Sequence, residues 1–321
     1  MRWEGRRESS NIEDRRDDGG DDGGFSAGPG GGYSGGGFGG FPINLGGGGI
    51  GTIVVVLIIA WVLGINPLTL LSGQPIGPGP AQVHRQPSAQ TPRVSSAEEQ
   101  RNARFVSVIL ADTEDRWKTL LPQQAGELVQ RAAGMRYQDP TLVMFRGTTR
   151  SGCGQAETAS GPFYCPADQK VYIDLAFYDE LKTRFKAPGD FAQAYVIAHE
   201  IGHHIQNMLG ILPAFNKARQ RMSERDANRA SVRVELQADC FAGVWAKAAQ
   251  NDRDFIDPGD IEQALNAASH IGDDAIQKSI RGYAVPDSFT HGTSEQRVRW
   301  FKRGFESGRL GACDSINAQQ L

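Results

Sequence analysis

The 321-residue chain reads as an α+β protein: a mainly helical domain with a small β-sheet over residues 95–321, preceded by a disordered glycine-rich tail and one transmembrane helix. Three observations lead there. Glycine is concentrated at one end, with 18 of the 40 glycines between Gly19 and Gly51. An uncharged apolar run, Ile50 to Ile65, follows directly. Farther on, three short β-branched and aromatic stretches precede a helical periodicity that continues from Asp190 almost to the end.

Residues 1–49 begin with mixed charge, including Glu13-Asp14-Arg15-Arg16-Asp17-Asp18, and pass into glycine with scattered Phe, Tyr, Ser and Pro. Such a stretch has too little apolar surface to offset chain entropy, so a disordered tail is expected. Residues 50–71 carry no charge and are expected to form a transmembrane helix; the Ile50–Ile65 run is near the short end of a bilayer span, about 17–25 residues, and Leu68, Leu70 and Leu71 extend its apolar character. Arg2, Arg6, Arg7, Arg15 and Arg16 precede the run, and no Lys or Arg follows it before Arg85. The positive-inside bias then puts the N-terminus in the cytoplasm and the remainder outside. Residues 72–94, rich in Pro, Gln and Ser, read as a spacer.

The folded part is expected from Ser95. Ser95 with Glu98, or Ser96 with Glu99, offers a capping box for a helix through Phe105, Val106, Ile109 and Leu110. Thr141–Phe145, Phe163–Cys165 and Val171–Leu175 are strand candidates. The four cysteines, Cys153, Cys165, Cys240 and Cys313, form no CxxC pair, which argues against a zinc ribbon. Cys153 and Cys165 bracket a span suited to a loop-closing disulfide, and Cys240 with Cys313 would make a second. Four reduced thiols are the alternative. The net charge of −3 gives no footprint for nucleic acid.

Asp190, just after Pro188-Gly189, supplies a start for a helix that Gly210 would end. On it His199 and His203 fall one turn apart on one face, a separation that lets two imidazoles bind one Zn²⁺. Glu200, beside the first ligand, can reach a zinc-activated water as general base without ligating the metal; this is the HExxH arrangement. A catalytic zinc takes three protein ligands and keeps one position open. In a second helical stretch, Glu235 and Asp239 share a face at i and i+4. Glu235 is assigned as the third ligand, and Asp239 as acceptor of a ligand histidine's free ring N–H. Of the remaining histidines, His291 is a candidate oxyanion donor, although local bonding in its turn is favoured. His204 and His270 read as structural. The Val171–Leu175 strand would line the cleft and pair with an extended substrate.

The pairing of His199-Glu200-Ile201-Gly202-His203 with Glu235-Leu236-Gln237-Ala238-Asp239 resembles the gluzincin metallopeptidases, whose third ligand is a Glu in an ExxxD pattern. Over nearly its whole length the chain is similar to a bacterial family described as "putative neutral zinc metallopeptidase", single-pass membrane proteins. The likeness includes Met1-Arg2-Trp3-Glu4-Gly5-Arg6-Arg7-Glu8-Ser9, Ser151-Gly152-Cys153-Gly154, Gly161-Pro162-Phe163-Tyr164-Cys165-Pro166 and His291-Gly292-Thr293-Ser294-Glu295-Gln296-Arg297. It implies a zincin-like domain, Zn²⁺, a peptide or protein substrate and one membrane-embedded helix. The rival expectation is a non-catalytic, zinc-stabilised membrane scaffold or binding protein.

Overall fold

The computed structural model describes residues 1–18, 96–252 and 255–321. Of the two capping boxes the sequence allows, Ser96 forms the cap: its Oγ accepts from the Glu99 N–H at 3.0 Å. The helix it starts, α1 (Ala97–Leu128), runs far beyond Leu110 and contains Pro122. Phe105, Ile109, Leu110, Trp117 and Leu121 on it are all at most 1% exposed. This i, i+4, i+5 spacing makes one apolar face, around which the rest of the domain packs.

In the chain, most of the sheet follows α1. Three of its strands fall where their Val, Ile and aromatic content puts them: β2 (Thr141–Phe145), β5 (Phe163–Cys165) and β6 (Lys170–Asp174). A polar hairpin, β3 (Thr148–Ser151) with β4 (Gly154–Glu157), was not legible in the sequence because its residues show no alternation. A disulfide ties Cys153 at the hairpin turn to Cys165 on β5, and a second joins Cys240 to Cys313.

The fourth strand corrects the reading of the tail. Ile12–Asp14 forms β1, parallel to β2 with Ile12 opposite Leu142, so the sheet order is β1-β2-β6-β5. Trp3 is 5% exposed. Its ring meets Phe105 edge-on at 5.3 Å, and its indole N–H donates to Asp190 at 2.8 Å. Buried Glu114 accepts from Ser9 Oγ at 2.5 Å and Asn11 Nδ2 at 2.9 Å, and pairs with Arg7 at 3.0 Å. Composition suggested disorder because the segment is polar. Its polar groups instead have buried partners on α1, and a buried acid with three donors is a stable arrangement where a solitary one is not.

The expected tail remainder (19–49), transmembrane helix (50–71) and linker (72–94) lie outside the described residues. Among the described residues no helix is long and apolar enough to cross a membrane. A single crossing at 50–71 would put residues 1–18 and 95–321 on opposite sides of a bilayer. Strand pairing and the Trp3 contacts put them in one core, so that expectation of opposite sides does not hold with this packing.

The helical half comprises α2 (Phe177–Thr183), α3 (Asp190–Met208), α4 (Ile211–Arg219), α5 (Glu224–Gln250), α6 (Asp260–His270), α7 (Asp273–Arg281) and α8 (Ser294–Ser307). The α3 helix begins after Gly189, so Asp190 is its first residue rather than its cap. It ends before Gly210, which takes the left-handed conformation at φ 77°. Two helix pairs approach at glycine. A Cβ on Gly202 of α3 would stand 3.0 Å from the Ala238 Cα of α5, and one on Gly304 of α8 would stand 1.9 Å from the Cys240 carbonyl oxygen. Any side chain there would hold the helices apart.

Candidate metal centre

The α3 helix buries Phe191, Ala194, Tyr195, Ala198, Ile201 and Ile205 completely or nearly so. This fixes its rotation and directs His199 and His203 to the neighbouring face. Their rings are 4.8 Å apart and nearly perpendicular. The close approach at Gly202 brings α5 alongside, and Glu235 arrives between the two rings. Its Oε2 is 3.2 Å from His199 Nε2 and 3.5 Å from His203 Nε2. One donor atom from each of the three residues lies within 4.8 Å of the others, so the trio could hold a metal ion.

The opposite edge of each ring is also held. His199 Nδ1 lies 2.8 Å from Asp239 Oδ1, one helical turn beyond Glu235, and His203 Nδ1 lies 2.8 Å from Gln206 Oε1. Both acceptors call for a proton on Nδ1, so a neutral ring presents a bare Nε2 lone pair to the Glu235 carboxylate. Acceptor facing acceptor is unfavourable unless a proton or a cation lies between them. The titration behaviour has the same origin. Burial opposes charge on His199, but Asp239 and Glu235 outweigh it and push the imidazole up to about 10. His203 is raised in the same way, with Glu235 overriding burial. Glu235 itself is partly buried, which opposes its charge, yet the two histidines hold its carboxyl well below the usual range. Two imidazole nitrogens and a carboxylate, with their far edges anchored, fit a zinc ion by donor type and number.

Glu200 is 7% exposed and does not join the trio. Burial pushes its carboxyl upward, partly offset by the two histidines and by the backbone N–H of Tyr164 on β5. A carboxylate tuned upward beside a metal site is suited to taking and returning a proton.

Behind the site is a layer that sequence reasoning missed. Arg297 of α8 is 4% exposed and grips Asp239 twice, Nε to Oδ2 and Nη2 to Oδ1, both at 2.9 Å. It also donates to Tyr195 Oη at 3.1 Å, while the Tyr195 hydroxyl donates to Asp239 at 2.6 Å. Burial opposes ionisation of Asp239, but Arg297 and His199 bring its carboxyl down to about 2. Gln206 is oriented by donating to the Val234 carbonyl at 2.7 Å and to Gln237 at 3.0 Å. The available signals were Tyr195 one turn before His199, Gln206 three residues after His203, and Arg297 on the same helix face as Trp300 and Phe301.

The site opens into a cleft of about 550 Å³ whose apolar wall includes Phe163, Tyr164, Phe177, Phe185, Leu212 and Phe215. The expectation that Val171–Leu175 lines it is corrected. β6 is an inner strand covered by β5, and β5 is the edge that reaches the cleft. His291 lies at the cleft as well, with Nδ1 3.2 Å from Asp273 Oδ1, so local bonding and access to the site coexist. The Asp273 Oδ2 accepts the backbone N–H groups of Thr290, His291 and Gly292, and the Thr293–Gln296 capping box follows. His204 is structural: its Nε2–H donates to the Gln138 carbonyl at 2.7 Å, and Nδ1 faces Tyr164 Oη at 3.1 Å. His270 bonds to the Asn266 carbonyl at the end of α6, away from the trio.

Comparison with known proteins agrees with the motif. A family model described as "Putative neutral zinc metallopeptidase" matches residues 1–316. "Uncharacterized protein YpfJ" of Escherichia coli K12 is 48% identical over 316 residues, covering 98% of this chain and 99% of the relative. "Uncharacterized protein Rv2575" of Mycobacterium tuberculosis is 37% identical over 274 residues, covering 82% of this chain and 86% of the relative. No solved structure matches. With the HExxH helix, the facing carboxylate and a match over almost its full length, the chain belongs to the putative neutral zinc metallopeptidase family.

Proposed function

We propose that this protein is a zinc-dependent peptidase in which His199, His203 and Glu235 hold the metal and Glu200 is the general base. The observation that carries the reading is the convergence of three metal-competent donors at the floor of an open cleft, with a fourth, buried carboxylate beside them. Zinc held there supplies Lewis-acid chemistry, polarising a carbonyl and making water acidic near neutral pH. Glu200 takes the water proton and returns it to the leaving amine. Asp239 and Gln206 keep the two imidazoles in the tautomer that exposes Nε2. Asp273 raises His291 against the opposing effect of its partial burial, which favours the doubly protonated ring, a donor toward a developing oxyanion. The free edge of β5 offers backbone groups to an extended peptide.

The zinc-stabilised scaffold is the second reading. A closed structural site takes four protein ligands. Among the described residues the cluster has three, which supports the open, catalytic form. The two disulfides support work in an oxidising compartment outside the cytoplasm. Because residues 1–18 share a core with the domain, a single membrane crossing at 50–71 is no part of the proposed function.

The test is zinc content and peptide hydrolysis of the purified full chain and its Glu200→Gln variant, with and without chelator. The variant should keep its zinc and lose activity by about 10²–10⁴-fold. Hydrolysis that persists in Glu200→Gln or in fully chelated protein refutes the assignment.

A further inference from the structure

The surface beside the cleft combines two properties that rarely occur together on a free face. The α4 helix has nine residues, of which Leu212 is the one fully buried. Its outer side leaves Pro213, Ala214 and Ala218 exposed. Between α4, the start of α5 and the chain near Ile316 runs an apolar groove of about 390 Å³, lined in part by Leu209, Ile211, Ala214, Ala218, Met222 and Ile316. Among the described residues, the large hydrophobic side chains left exposed are Met222, Ile316, Val285 and Tyr283. The first two line this groove. The other two lie on the loop carrying Asp287, which Arg225 of α5 holds at 2.9 Å.

The same segment is strongly basic. Residues 211–233 carry Lys217, Arg219, Arg221, Arg225, Arg229 and Arg233 against Glu224 and Asp226, in a chain whose net charge is −3. Arg225 and Arg229 face Asp287, and Arg233 donates to the carbonyls of Ser315, Ile316 and Ala318. Lys217, Arg219 and Arg221 are exposed and have no carboxylate within ion-pair distance among the described residues. The acidic residue lining the groove, Asp314, is occupied by Asn317.

We propose that the α4–α5 corner is a peripheral docking surface for an anionic phospholipid bilayer. Met222 and the groove enter the headgroup boundary, and Lys217, Arg219 and Arg221 meet lipid phosphates. An apolar strip flanked by cations is the pattern that seats an interfacial helix, and each cation near an anionic surface strengthens binding about fivefold. Charge complementarity selects a lipid surface over a neutral apolar partner. Phe215 and Val234 line both the groove and the metal cleft, so a bilayer seated on one lies beside the opening of the other. The inference goes beyond the peptidase reading and does not depend on it.

The test uses the full chain with Met222→Cys labelled by an environment-sensitive fluorophore, which is selective because the native cysteines are all in disulfides. A control label goes on Lys302→Cys, exposed on α8. Vesicles of phosphatidylglycerol and phosphatidylcholine are compared with phosphatidylcholine alone. Expected is a blue shift at position 222 with the anionic vesicles, weakened by salt and absent at position 302. Lys217→Gln/Arg219→Gln/Arg221→Gln should weaken the vesicle affinity read at position 222 about 100-fold. No shift, an equal shift with neutral vesicles, or an equal shift at position 302 overturns the proposal. A shift without vesicles that grows with protein concentration also overturns it, because a second copy then covers the groove.

Discussion

Asp239→Asn tests the buried layer behind the metal centre. The Asp239 carboxylate is fully buried and accepts from Tyr195, from His199 Nδ1 and twice from Arg297. An asparagine has one acceptor oxygen. If that oxygen serves His199 and Tyr195, its amide hydrogens point at the Arg297 guanidinium, donor against donor, and a 4%-exposed cation loses its counter-charge. Breaking such a pair by removing one partner costs about 3–5 kcal/mol. Proton linkage gives a second figure of the same order. A carboxyl brought from 3.8 to about 2 contributes roughly 2 kcal/mol. Because the folded value is depressed, this contribution is present above pH 3.8 and is lost as pH falls through about 2. The gap between wild type and variant should therefore narrow over that window. Urea unfolding in chelator measures stability free of zinc linkage, and competition with a chelating dye measures zinc affinity. The affinity should fall about 10–100-fold, since the His199 ring loses its charged acceptor. Adding Arg297→Met removes the stranded cation and should restore most of the stability, leaving zinc affinity low. A single variant within about 1 kcal/mol of wild type, or a double variant no more stable than the single one, would falsify this account.

Three further outcomes are expected. Gly202→Val puts side-chain atoms where Ala238 already stands, so α3 and α5 should separate. A stability loss of about 1–3 kcal/mol with reduced zinc occupancy is the signature, and unchanged zinc content would show that the close approach does not set the site. Trp3→Ala deletes a buried ring and the bond to Asp190. It should cost about 3–5 kcal/mol, roughly 6–20 °C in melting temperature, whereas an unaltered melt would return residues 1–18 to the status of a loose tail. His291→Ala should lower kcat by up to about 10³-fold with zinc content intact; a change confined to KM would limit His291 to binding.

The convergence of the candidate trio was legible in the sequence because helical geometry is local. A four-residue spacing puts His199 over His203, and Glu235 over Asp239, whatever the rest of the chain does. The apolar residues around each motif also forecast that both helices would be buried. The N-terminal segment was misread for the opposite reason. Arg7, Ser9 and Asn11 look solvated in a one-dimensional reading, and their partner Glu114 is more than 100 positions away.

By itself, then, the sequence determined the α+β class, three of the strands, the helix carrying the two imidazoles and the three candidate donors that the fold brings together, since each depends on spacing or on residue type. Only the tertiary structure decided which strand forms the sheet edge, that Met1–Asp18 completes the sheet, and that Arg297, Tyr195 and Gln206 brace the site. Those facts depend on contacts between residues distant in the chain, and no local periodicity encodes which distant side chain will satisfy a buried charge.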